Sequence, residues 1–83
     1  MAMERAQLAE ACDLALAGNW ERAHAIVQQD EADATSCWIH AVLHKIEGDA
    51  GNARYWYSRA GQFYESYADA TAELRAIRAT LTY

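Results

Sequence analysis

His40 and His44 are the residues of this chain whose type and spacing point most directly to chemistry. They stand one helical turn apart, so on a helix both imidazoles share a face. Cys37 and Glu47 extend that face, three residues before His40 and three after His44. Imidazole, thiolate and carboxylate all ligate zinc, and neighbours at i+3 or i+4 can reach one ion. Cys37 and Glu47, however, lie about 15 Å apart along a helix. One ion therefore takes His40, His44 and at most one of those neighbours. His24, in a separate segment, is the residue that completes a metal set of His24, His40 and His44.

A packing role competes with this reading. Between two helices a neutral histidine is a mid-sized ring with one donor and one acceptor. His40 and His44 can hold hydrogen bonds to Tyr55, Tyr57 or Glu47 across a helix pair. Acid–base work by a histidine with Glu47 would need a nucleophile or a bound electrophile, and no Ser or Gly-rich element suggests one. Ala41 stands where zinc proteases carry a Glu after the first His. No catalytic residue, no enzyme activity and no cofactor are expected.

The rings continue beyond the histidines. The segment Cys37–Ala60 holds two of the three Trp, two of the three His and two of the five Tyr. Tyr55, Trp56 and Tyr57 are consecutive, about 100° apart on a helix, so one face cannot bury all three. Arg54 and Arg59, beside Tyr55 and Trp56, either attract a carboxylate-bearing peptide or pair with the surplus of acids. The candidate binding groove comprises Trp38, His40, His44, Glu47, Tyr55, Trp56 and Arg59. Trp38, His40, His44, Tyr55, Trp56 and Tyr57 are expected to form one connected cluster between the third and fourth helices.

Five helices must position these residues. Leu8, Ala11, Cys12, Ala15 and Leu16 trace one apolar face of a first helix, from about Ala2 to Ala17. Gly18 ends it, since glycine takes the left-handed conformation without penalty, and Asn19 caps the next. The second helix runs from Trp20 to about Gln29. The third, from about Ser36 to Glu47, is apolar over most of its circumference, the mark of a buried helix. Gly48-Asp49-Ala50-Gly51 breaks it before a fourth, from about Asn52 to Ala60. Ser66-Tyr67-Ala68-Asp69 has capping-box spacing ahead of a fifth, which ends near Leu81. The fold class is all-α, a single domain over residues 1–83.

Composition limits the partners. Eighty-three residues make one small core with a thin stability margin. A net charge of −5 disfavours nucleic acid and anionic membrane. No apolar run is long enough to span a bilayer, and the charged N-terminal stretch lacks a signal peptide's apolar segment. The expectation is a cytoplasmic protein with Cys12 and Cys37 as reduced thiols.

Two segments superpose. Gly18-Asn19-Trp20-Glu21-Arg22-Ala23 and Gly48-Asp49-Ala50-Gly51-Asn52-Ala53 share a frame of Gly, cap and later Ala. This resembles the tetratricopeptide repeats, which carry Gly-Asp-Tyr-x-x-Ala at the junction of their two helices. Ala53-Arg54-Tyr55-Trp56-Tyr57-Ser58-Arg59-Ala60 is similar to the second helix of Sel1-like repeats. The run from Trp38 through His40, His44 and Glu47 to Ala60 also resembles a small group of bacterial helical proteins. The repeat resemblance covers about Glu4 to Ala60. It implies two antiparallel helix–turn–helix units, with the fifth helix as a C-terminal cap. It also implies a non-catalytic protein–protein interaction module binding a protein or peptide, with a homodimer as one form. Its groove would lie along Leu8, Cys12 and Ala15 of the first helix and Trp38 and Val42 of the third, covered by the fifth helix or by another chain. The alternative is a small-molecule or metal site on His24, His40 and His44.

Overall fold

Gly18 and Gly48 punctuate the chain as the sequence expects, and Gly61 does the same after the fourth helix. Each takes a left-handed φ, 84°, 85° and 72°, and each directly follows or closes a helical segment. The computed structural model describes residues 4–81. Its helices are α1 (Arg5–Leu16), α2 (Trp20–Val27), α3 (Ala34–Glu47), α4 (Ala50–Ala60) and α5 (Ala70–Thr80), with a short 3₁₀ turn at Tyr64–Ser66. No strand occurs among the described residues. The expected start of the first helix at Ala2 lies outside them.

Helix boundaries follow the capping chemistry. The Asp33 carboxylate accepts from the Ser36 amide at 2.9 Å, so α3 starts before Ser36. Asp49 accepts from the Asn52 amide at 3.1 Å, so α4 begins before Asn52. Asp69 caps α5 through the Thr71 amide at 3.0 Å. In each case an aspartate oxygen satisfies an amide that the first turn leaves free. Only Gly48 and Asp49 separate α3 from α4, which forces a hairpin. α4 and α5 are separate helices, with the 3₁₀ turn between them.

α3 is the central helix. It packs on α1, α2, α4 and α5, and Ile39, Ala41, Val42 and Leu43 have no exposed surface. Ala23 and Ala53, at matching places after Gly18 and Gly48, are also fully buried. α5 lies across α1 and α3. Its Leu74, Ile77 and Leu81 join Leu8 and Cys12 of α1 and Val42 of α3 in one core. The surface on which the repeat resemblance placed a groove is thus covered by the chain's own fifth helix. The body measures 27 × 25 × 24 Å. No helix among the described residues is long and apolar enough to cross a membrane.

Candidate functional site

α2 and α3 build the site together. His24 is on α2; His40 and His44 are on α3, one turn apart. Trp20, at the start of α2, sets the angle between the two helices. Its indole Nε1 donates to the Leu43 carbonyl at 2.6 Å, and its ring stacks on His24 with centroids 4.5 Å apart. That contact turns His24 towards α3. The three imidazoles then form a near-equilateral triangle: 4.8 Å between His24 and His40, 5.2 Å between His24 and His44, and 5.0 Å between His40 and His44. Trp56 of α4 closes the far side, stacked on His40 at 4.0 Å.

The nitrogens converge. Nε2 of His24 lies 3.1 Å from Nε2 of His40. One ring nitrogen from each histidine falls within 4.8 Å of the other two. Nδ1 of His44 meets Oε1 of Glu47 at 2.5 Å. Nδ1 of His40 is buried with no hydrogen-bond partner. Whichever of the facing nitrogens donates, His40 keeps one buried nitrogen unsatisfied, because a neutral imidazole has one donor and one acceptor.

The surroundings favour the neutral form of His40 and His24. Burial, with His24 and His44 alongside, lowers the pKa of His40 to about 4. His24 is lowered too, by burial first and by His44 second, against the pull of Glu47 and Glu31. A neutral imidazole offers a lone pair, and a lone pair is what a transition metal takes. With zinc–nitrogen bonds of about 2.0–2.1 Å, two ligands on a tetrahedral ion sit about 3.3 Å apart. The His24–His40 separation is close to that value. A ring nitrogen of His44 lies within 4.8 Å of both, and the packing around the set is aromatic.

The remaining expected residues distribute differently. Cys37 is not part of the set. Its Sγ lies 3.3 Å from the Glu31 carbonyl, and it and Cys12 are buried free thiols. Burial first, and then Asp13, pushes Cys12 up to about 12, so it is no ready ligand or nucleophile. Arg59 donates to the Glu31 carbonyl at 2.9 Å and lies over the rings of Trp56 and Tyr55. Tyr55 meets Trp56 edge-on at 5.0 Å and is exposed.

The single ring cluster expected between α3 and α4 is in fact two. His40, His44, Trp56 and Tyr55 belong to one, which also takes in Trp20 and His24 from α2. Trp38 and Tyr57 belong to another, on the opposite side of α3. Trp38 stands two residues before His40, about 200° round the helix. Its Nε1 donates to Oε2 of Glu73 at 2.9 Å. The Tyr57 hydroxyl reaches both Glu73 oxygens at 2.8 Å, and Lys45 Nζ meets Oε1 at 3.1 Å. Sequence reasoning passed over Glu73 and Lys45. The signal for Glu73 was present: it lies at i+3 from Ala70 and four before Ile77, a carboxylate on the apolar face of α5.

No family model matches the chain, and neither a curated protein nor a solved structure matches it.

Proposed function

We propose that this protein binds a divalent transition-metal ion on His24, His40 and His44. The observation that supports this most directly is the convergence of three imidazole nitrogens, with Nε2 of His24 and Nε2 of His40 3.1 Å apart, close to the spacing of two ligands on one ion. An all-imidazole set suits zinc, copper, nickel or iron, and disfavours magnesium and calcium, which prefer oxygen. Three protein ligands leave a fourth position for water or a small ion.

The test uses the full chain, stripped with a chelator and dialysed. Cobalt(II) is titrated first, because a tetrahedral site gives it intense visible bands, and zinc(II) is then added in competition. One ion per chain is expected, and His40→Phe should abolish the bands. Absence of binding at tens of micromolar, or unchanged binding by His40→Phe, would overturn the proposal.

A second reading keeps the interaction module. It is supported by two exposed rings, Tyr55 at mid-α4, 53% exposed, and Phe63 just beyond the helix, 72% exposed. Exposed rings of this kind are common at protein interfaces. Light scattering of the purified chain at rising concentration tests its self-associating form: a monomer throughout removes it.

A further inference from the structure

Glu47 touches the metal set without belonging to it. It occupies the last turn of α3, where Gly48 ends the helix at once. Spacing of i, i+3 on a helix brings its carboxylate back over His44. The contact is short, 2.5 Å from Nδ1 to Oε1. The side chain is 39% exposed, against 9% for His44. The carboxylate therefore sits at the rim, and the ring it holds points inward from there.

A carboxylate only accepts, so the proton of this contact belongs to the imidazole. A neutral imidazole carries one proton. If that proton is on Nδ1, the lone pair must be on Nε2. From this we infer that Glu47 is the positioning residue of the site: it fixes His44 in the Nδ1–H tautomer and so reserves Nε2 for the ion. The inference rests on the metal reading above and assigns a role within it. Carboxylate–histidine–metal relays of this kind orient the ring and raise its basicity.

Charge supports the same assignment. His24, His40 and His44 contribute no charge when neutral, and the rings around them are Trp20 and Trp56. A dication placed there needs a counter-charge within a few ångströms. Glu47 provides one through His44, and the carbonyl end of α3 adds the negative pole of a helix dipole. An ordinary helix-surface pair would show the same distance, so the test must separate a positioning role from a local helix contact.

The experiment has two readouts. In metal-free, ¹⁵N-labelled protein, the ring nitrogen shifts of His44 report its tautomer directly. The wild type should be Nδ1–H. Glu47→Ala should lose that bias, and Glu47→Gln, whose amide oxygen still accepts, should retain it. Zinc affinity is then measured for all three by competition with a chromophoric chelator. Glu47→Ala should lose affinity roughly 10–100-fold, and Glu47→Gln should recover part of it, the shortfall being the share due to charge. Circular dichroism checks that all three stay folded. An Nε2–H tautomer in the wild type, or wild-type zinc affinity in Glu47→Ala, overturns the role of Glu47 and leaves the metal reading standing. No zinc binding by the wild type removes both.

Discussion

α3 presents two polar faces to the interior, and they are finished in opposite ways. Trp38 and Lys45, seven apart, face α5 and the end of α4. His40 and His44, four apart, face α2 and Trp56. On the first side every strong donor has an acceptor. Lys45 Nζ donates to the carbonyls of Tyr64 and Tyr67 at 2.8 and 2.9 Å, and its third proton goes to Glu73 at 3.1 Å. The Trp38 indole and Tyr57 hydroxyl complete the carboxylate's shell. On the second side three like rings face each other, and one buried nitrogen has no partner. A saturated buried network pins elements in place, because every alternative arrangement leaves a charge or a donor unpaired. An unsaturated one lowers stability. The contrast marks the Glu73 side as scaffold and is the reason the proposed site is placed on the histidine side.

The largest effect should come from opening the saturated face. Glu73→Ala leaves the largely buried Lys45 ammonium without its anion and strips two further donors of their acceptor. Breaking one partner out of a buried pair costs about 3–5 kcal/mol, a large part of the stability of a domain this small. α5 should loosen first, since Glu73 ties it to α3 and α4. Urea denaturation measures this directly. A loss under about 1 kcal/mol would mean that the network is incidental, and the distinction between the two faces would fail with it.

Acid should act on the other face. His40 has its pKa lowered from 6.5 to about 4 in the folded chain. Between those values the unfolded chain binds a proton that the folded one refuses. Stability from this residue is therefore complete above pH 6.5 and falls as pH drops towards 4. The full difference is on the order of 3 kcal/mol, and His24 acts in the same direction. Metal-free protein in chelator should show a falling urea midpoint from pH 6.5 to 5. His40→Phe should flatten most of that slope. A wild-type slope that survives the substitution would place the acid sensitivity elsewhere.

The backbone of this molecule was largely legible in its sequence, and its side-chain grouping was not. Gly18 and Gly48 announced helix ends because the left-handed conformation is cheap only for glycine. Where helices start was less legible: α3 begins before Ser36 and α4 before Asn52 because the Asp33 and Asp49 carboxylates take those amides. His40 and His44 share a face by spacing alone. Whether His24 joins them depends on how α2 is rotated against α3. That rotation is set by Trp20 meeting the Leu43 carbonyl, a contact between residues 23 apart that no local period encodes. Glu73 was overlooked for a related reason. A carboxylate on an apolar helix face is read as solvated until Lys45, Tyr57 and Trp38 are brought to it from two other helices.

The smallest expected effect separates packing from function most cleanly. His40→Phe keeps an aromatic ring stacked on Trp56, where the centroids are now 4.0 Å apart with planes 13° from parallel. It removes the unsatisfied nitrogen and the need to keep a buried base neutral. Phenylalanine is slightly larger, so some repacking strain opposes that gain, while an unpaired buried polar atom costs about 1–3 kcal/mol. The substitution also removes the 3.1 Å hydrogen bond to His24 Nε2, so the net change in stability at neutral pH should stay within about 1 kcal/mol of zero. If His40 were there to hold helices together through a hydrogen bond, the same substitution would destabilise, as Glu73→Ala does on the opposite face. A chain that melts no lower with His40→Phe, yet no longer takes up cobalt, shows a residue kept for binding at the expense of the core. A chain that melts several degrees lower and binds no ion in either form shows a third packed ring between Trp20 and Trp56, and nothing more.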